Sequence, residues 1–230
     1  MKADILHRLI ALRQARSPCA LVTRIIDGCQ SLIAGGSPDG DLVLTPAHLE
    51  QIAARLAADK SGPLEADPGL FVRVYAPPSR LFVVGAVHIA QFLAPMATMA
   101  GFEVTVIDPR RAFANADRFP DVELSDEWPD EAMAKRLPDA QTAVVTLTHD
   151  PKLDDPALVV ALASPAFYIG ALGSRRTHAQ RVERLTAEGL GEQVTRIHAP
   201  VGLDLGGRSP AEIAVSVLAQ IVMVKHGHDL

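Results

Sequence analysis

The sequence predicts an α/β protein in which a mostly parallel sheet, with helices on both faces, follows a small α+β domain. From residue 80 onward, short β-branched runs alternate with segments of helical periodicity. Ahead of them stand Pro77 and Pro78, a pair that suits a stiff connector better than a helix or sheet interior. We therefore expect a small divergent N-terminal domain over residues 1–76, a linker over 77–79 and a Rossmann-like domain over 80–230.

The N-terminal region mixes helical and strand patterns. Residues 3–15 have the apolar spacing of a helix, and Thr45-Pro46 opens a second helix that reaches about residue 58. The predicted strands are 19–26, 29–34 and 70–75, with a loop over 35–40. A two-residue turn at Asp27-Gly28 would place Ile26 opposite Cys29 and leave Cys19 far along the ladder, so we expect no disulfide.

The second region predicts six strands and five helices in alternation. The strands are 81–84, 103–107, 122–124, 142–147, 167–170 and 195–198, and the helices are 87–99, 130–137, 155–163, 175–188 and 210–226. The first strand–helix–strand unit resembles a dinucleotide fingerprint, with Asp108 lying 23 positions after Gly85, where a ribose hydroxyl would bind. Val87, however, stands where the fingerprint requires glycine, so tight NAD(P) binding is not expected.

Composition excludes several classes of partner. The chain has 230 residues, 48% of them hydrophobic, and a net charge of −5, which argues against a nucleic-acid or membrane-surface partner. No apolar run reaches the roughly 18 residues of a membrane-spanning helix. The first 16 residues lack the apolar core of a signal peptide, and we expect a cytoplasmic protein.

Glycines and polar residues follow the predicted strands, and the carboxyl ends of parallel strands meet at one edge of the sheet, where ligands bind. Gly173-Ser174-Arg175-Arg176 is the most informative group, because Ser174 is placed to cap a helix whose first turn carries two guanidinium groups, an arrangement suited to phosphate. An ordinary capped surface helix is the alternative. The candidate ligand-binding residues are Gly85, His88, Asp108, His149, Asp150, Gly173, Ser174, Arg175, Arg176, Gly202 and Asp204.

The histidines and carboxylates admit structural as well as functional interpretations. His149-Asp150 could contact a ligand or serve the fold, and His88 could point into the site or begin its helix. Asp155-Pro156 favours a helix start, and no metal site is expected. Asp204 lies among glycines and is a better ligand candidate than Glu212, which forms a capping box with Ser209. The helix that follows is apolar enough to be buried against the sheet or shared with a second protomer.

Several segments resemble the XdhC/CoxI family, the accessory proteins of xanthine dehydrogenase and carbon monoxide dehydrogenase. The segments that carry the resemblance are 85–90, 148–150, 168–176, 198–206 and 209–216. The resemblance implies that the chain binds the molybdenum cofactor transiently and delivers it to an apo-molybdoenzyme client, usually as a homodimer. This role favours a cofactor-insertion chaperone over an enzyme and leaves the question of an activity of its own open.

The N-terminal region departs from that family pattern. Gly35-Gly36-Ser37-Pro38 lacks the arginine of the usual Gly-Ser-Ser/Ala-Pro-Arg motif, and there is no Gly-Gly-Cys motif. Two other functions stay open on the residues alone: an NAD(P)-dependent oxidoreductase using Asp108, and a non-catalytic nucleotide-binding regulator. Tyr168 has Leu172 rather than lysine four residues on, which argues against short-chain dehydrogenase chemistry.

Overall fold

A computed structural model describes residues 2–228 of the chain. The chain divides into two compact units, one ending at Pro77 and the other beginning at Pro78. Among the described residues, no helix combines the length and the apolar content that crossing a bilayer requires.

The first unit is a five-stranded antiparallel sheet with two helices. Its elements are α1 (Ala3–Gln14), β1 (Cys19–Arg24), β2 (Gln30–Ala34), β3 (Ser37–Gly40), α2 (Pro46–Ala57), β4 (Gly62–Pro63) and β5 (Leu70–Tyr75), and the strand order is β3-β2-β1-β5-β4. Central strand β1 is buried on both faces. Ala20 and Val22 belong to the core that contains Ile52 of α2, whereas Cys19 and Leu21 pack with α1.

Two predictions for this unit are wrong. The first hairpin has a longer loop rather than a two-residue turn, because Thr23 pairs with Gln30. The Asp27 carboxylate accepts from Arg24 Nε and from the Cys29 amide, contacts that hold the pKa of Asp27 at about 2 and close the longer loop. The predicted loop over 35–40 instead contains β3, joined to β2 by a two-residue turn at Gly35-Gly36 in which both φ angles are positive. Both cysteines are free, as predicted.

The second unit is a six-stranded, all-parallel sheet. Its strands are β6 (Arg80–Val84), β7 (Glu103–Ile107), β8 (Glu123–Ser125), β9 (Thr142–Thr146), β10 (Tyr168–Ala171) and β11 (Ile197–His198). Its helices are α3 (His88–Met99), α4 (Pro129–Lys135), α5 (Pro151–Leu162), α6 (Arg175–Ala187) and α7 (Pro210–Lys225). The order β8-β7-β6-β9-β10-β11 is that of a doubly wound Rossmann sheet, and it confirms the predicted fold class.

Helices cover both faces of this sheet. Helices α3 and α7 share one apolar core with alternate residues of β6, β7 and β9, among them Leu81 and Val83. Residues Phe82 and Val84 point to the opposite face, where they join the core beneath α4, α5 and α6. The near-continuous apolar strands of the sequence reflect this two-sided burial.

One helix start and one strand were predicted wrongly. Helix α5 begins at Pro151 rather than near Pro156, because the Asp150 side chain caps it by accepting from the Lys152 amide at 3.0 Å. Asp155 is therefore not the cap; its carboxylate accepts from Arg184. The last predicted strand is reduced to β11, preceded by a 3₁₀ turn over Gln193–Arg196.

Candidate functional site

Five segments lie along the carboxyl edge of the parallel sheet. They are the glycine loop (85–87) after β6, Asp108 after β7, the histidine loop (148–150) after β9, the arginine loop (172–176) after β10 and the aspartate loop (202–205) after β11. The strand order reverses between β6 and β9, which is where doubly wound sheets bind ligands. Neighbouring strands lie about 4.8 Å apart, so a ligand contacting all three loops from β9 to β11 must extend over roughly 10 Å.

The histidine loop packs directly against the glycine loop and leaves no room for a side chain at Gly85. Gly85 has φ +107°, and a Cβ atom built there would overlap the Cγ2 atom of Thr148. The first glycine of the fingerprint therefore lets two adjacent loops pack tightly at the switch point. Val87 caps α3 without a side-chain hydrogen bond, and His88 begins the helix with an exposed side chain.

Asp108 is fully buried and hydrogen-bonded within the protein. Its carboxylate accepts from the Ala86 amide at 2.9 Å and from the Arg110 amide, Nε and Nη2 at 2.8–2.9 Å. Burial alone would raise the pKa of Asp108, but these hydrogen bonds outweigh it and leave the pKa lowered. The carboxylate thus braces the glycine loop, and its acceptor capacity is committed to protein donors instead of a ribose hydroxyl.

Sequence reasoning missed two arginines that support this edge. Arg110 forms the bidentate pair with Asp108. Arg118 donates from Nη1 to the Ala86 carbonyl at 2.9 Å and from Nη2 to Gln91 at 3.1 Å, which fixes the start of α3. Neither is signalled by a motif: Arg110 bonds a carboxylate only two residues away, and Arg118 reaches the glycine loop across 32 positions.

The histidine loop presents His149 to solvent. His149 is exposed and has φ +62°, a left-handed conformation that is uncommon outside glycine, although histidine tolerates it better than most residues. Thr148 Oγ1 accepts the Asp150 amide at 3.0 Å, and Asp150 caps α5, so the residues on both sides hold this conformation. His149 is therefore the exposed side chain of this loop, whereas Asp150 caps the helix.

The arginine loop leaves two guanidinium groups unpaired. Ser174 caps α6 by accepting from the Thr177 amide at 3.2 Å, as predicted. Gly173 has φ +137° and lies against the Thr177 side chain, which brings the loop close to the helix. Arg175 and Arg176 are exposed, and neither side chain has a hydrogen bond or ion pair with any residue of 2–228. Two unpaired cations thus lie at the positive end of a helix.

Two side chains of α7 hold the aspartate loop by hydrogen bonds. The Gln220 side-chain oxygen accepts from the Tyr168 hydroxyl at 2.6 Å and from the Gly202 amide at 2.8 Å, while Ser216 Oγ donates to the Leu203 carbonyl. Burial raises the pKa of Tyr168, which keeps its hydroxyl available as a donor. Asp204 is exposed beyond this anchor, and its only hydrogen bond among the described residues is from the Gly206 amide at 3.3 Å.

The edge therefore displays a cationic pair, an imidazole and a carboxylate. No group of three or more histidine, cysteine, aspartate or glutamate side chains within 2–228 is arranged to hold a metal ion. The arrangement suits a ligand that has an anionic group at one place and hydrogen-bonding edges at others. Of the predicted residues, Gly85, Asp108 and Asp150 are engaged in structural contacts, and His88, His149, Arg175, Arg176 and Asp204 are exposed.

Comparisons with curated proteins identify relatives in two bacteria. The molybdenum cofactor insertion chaperone PaoD of Escherichia coli (strain K12) is 34% identical over 152 residues, covering 66% of this chain and 42% of PaoD. A probable xanthine dehydrogenase subunit of Bacillus subtilis (strain 168) is 31% identical over 157 residues, covering 68% and 46%. The uncharacterized protein YqeB of Escherichia coli (strain K12) is 32% identical over 158 residues, covering 68% and 29%. The matched region spans less than half the length of each relative.

A solved structure shares the fold. The crystal structure of a xanthine dehydrogenase from Bacillus halodurans superposes with a TM-score of 0.75 at 23% identity, covering 98% of this chain and 65% of that one. Residues 81–221, which contain the whole parallel sheet except Arg80, match the model of the XdhC Rossmann domain. That segment makes up more than half of the chain and carries the motifs of the resemblance, so the protein belongs to the XdhC family.

Proposed function

We propose that this protein is an accessory protein that binds the molybdenum cofactor and delivers or inserts it into an apo-molybdoenzyme of the xanthine dehydrogenase or CO dehydrogenase type. The observation that carries the proposal is the unpaired arginine pair at the N-terminus of α6, on the edge where doubly wound sheets bind ligands. The relationship to PaoD, named as a molybdenum cofactor insertion chaperone, supports the choice of cargo.

The chemical groups of the molybdenum cofactor are complementary to the exposed side chains of this edge. The cofactor carries a phosphate, which Arg175 and Arg176 would hold together with the backbone amides of the first turn of α6. Its pterin ring has donors and acceptors along one edge, and the Asp204 carboxylate would accept two parallel N–H bonds from it. His149 would lie nearer the metal end. In this assignment the chain binds and releases its cargo and carries out no reaction of its own.

The oxidoreductase alternative has weaker support. The Asp108 carboxylate already accepts four hydrogen bonds from the protein, and Val87 occupies the position where the backbone should approach a pyrophosphate. We therefore propose that NAD(P) is not the ligand of this edge.

We further propose that the protein is a cytoplasmic homodimer. Helix α7 packs against α3, yet Phe92 and Met99 of α3 and Val215 of α7 remain 45%, 80% and 47% exposed. Apolar side chains left exposed on two packed helices suit burial against a second copy of the chain. Sedimentation of the purified protein would distinguish a dimer from a monomer.

Purification followed by spectroscopy tests the main proposal. The protein from a host that makes the cofactor is expected to carry pterin fluorescence and bound molybdenum. In addition, Asp204→Asn should lower cofactor affinity and leave the client enzyme underloaded, because the variant keeps the shape and removes the charge. Absence of pterin from the wild-type protein, together with saturable NAD(P)H binding in a fluorescence titration, would favour the oxidoreductase instead.

A further inference from the structure

A buried ion pair lies between α5 and α6, behind the exposed edge. The side chains of Asp154 and Arg181 are each 2% exposed, and Arg181 Nη2 lies 3.7 Å from Asp154 Oδ2, beyond hydrogen-bond distance. Asp154 Oδ2 and Arg181 Nε and Nη1 are buried without a hydrogen-bond partner among the described residues. A buried pair left partly unsatisfied is costly to desolvate, and apolar side chains of similar volume often stabilise a fold as well or better.

Each member of the pair holds a different loop of the candidate site. Asp154 Oδ1 accepts from Thr148 Oγ1 at 2.6 Å, at the start of the histidine loop. Arg181 Nη2 donates to the Leu172 carbonyl at 2.9 Å, immediately before Gly173 in the arginine loop. The pair therefore connects the loop that carries His149 with the loop that carries Arg175 and Arg176.

We propose that Asp154 and Arg181 are positioning residues that set the spacing between the histidine loop and the arginine loop, so that one extended anionic ligand can contact both. The inference rests on the proposed function, since it concerns the same edge of the sheet. Arginine suits this role because its planar guanidinium can bond a carbonyl and face a carboxylate at once, whereas a lysine ammonium is a single point charge.

The same two helices provide a matched control. Arg184 of α6 donates from Nε to Asp155 Oδ2 at 2.5 Å and from Nη2 to Asp155 Oδ1 at 3.0 Å. This second pair joins α5 to α6, and neither of these hydrogen bonds reaches either loop. Loss of the control pair removes a bridge between the helices and leaves the loops connected through Asp154 and Arg181.

The proposal is tested by titrating the protein with metal-free molybdopterin and measuring binding through the fluorescence of the pterin. Asp154→Leu/Arg181→Met removes both charges together, so neither is left buried alone, and should weaken binding at least tenfold. Asp155→Leu/Arg184→Met should change affinity less than twofold. Equal losses in the two double variants would overturn the positioning role and leave the proposed function standing. No binding by the wild-type protein would instead overturn the proposed function.

Amide hydrogen exchange tests the connection between the loops without any ligand. Arg181→Met should speed exchange about tenfold in the histidine loop, although Arg181 itself bonds only the other loop, while β6 and β7 exchange as in the wild type. Arg184→Met should leave the histidine loop unchanged. If Arg181→Met speeds exchange only in the arginine loop, or equally in β6 and β7, the two loops are not coupled through this pair and the inference is wrong.

Discussion

Replacing Gly85 with alanine should destabilise the second unit in the absence of any ligand. The backbone at Gly85 has φ +107°, where a side chain costs about 1–3 kcal/mol. The added Cβ would also overlap Thr148 Cγ2, and overpacking of this kind costs another ~1–3 kcal/mol. We expect a loss of about 3 kcal/mol, which for a unit of this size lowers Tm by roughly 6–12 °C.

A double-mutant cycle separates the two contributions. Thr148→Ser removes the obstructing methyl group and keeps the hydroxyl that donates to Asp154. In thermal and urea unfolding, Gly85→Ala/Thr148→Ser should therefore recover about 1–2 kcal/mol relative to the sum of the single variants. If Gly85→Ala is as stable as the wild type, the packing argument is wrong, and the glycine is then explained by the close approach of a ligand instead.

Three further outcomes follow from the contacts of the second unit. Asp108→Asn should be less stable than the wild type at pH 7, because the charged carboxylate accepts four hydrogen bonds in the folded protein. The folded-state pKa of Asp108 is lowered, so its contribution is present above the unfolded pKa of about 4 and is lost as pH falls through the lower folded-state pKa; the urea midpoints of the two proteins should therefore approach each other as pH falls below about 4. A difference in midpoint that stays constant as the medium is acidified below about pH 4 would contradict this. Ser209→Ala should lower the free energy of unfolding by about 1 kcal/mol, because it removes the capping box of α7. An unchanged free energy of unfolding would show that the cap does not stabilise the unit. The wild-type protein should bind NAD more weakly than micromolar in a fluorescence titration; tight binding would show that Val87 does not obstruct the pyrophosphate.

The architecture of the second unit could be predicted because the sequence patterns that specify its strands and helices are local. Apolar strands alternate with amphipathic segments, and capping residues such as Ser174 and Ser209 mark helix starts. Helix α5 was misplaced because two Asp-Pro starts, at Asp150-Pro151 and Asp155-Pro156, compete in the sequence. Only the fold shows that Arg184 engages Asp155.

The supporting side chains of the edge could not be predicted, because their partners are distant in sequence. Arg118 reaches the Ala86 carbonyl across 32 positions, and Gln220 reaches the Gly202 amide across 18. Asp154 and Arg181 stand in ordinary helical segments, where charged residues usually face solvent. The exposed residues His149 and Arg175 could be predicted to lie at this edge, because each follows the end of a parallel strand within four residues.

Equilibrium titration with molybdopterin tests the central claim most directly, that the arginine loop is the anion site of this sheet edge. Arg175→Ala/Arg176→Ala should weaken binding by about 2–4 kcal/mol, since two charge-assisted contacts are lost, while the unfolding midpoint stays at the wild-type value. Lys135→Ala/Arg136→Ala, which removes the same charge from the last residue of α4 and the residue after it, in the same unit, should leave affinity unchanged. Unchanged affinity of the Arg175/Arg176 variant at low salt, or an equal loss in the α4 variant, would contradict the claim.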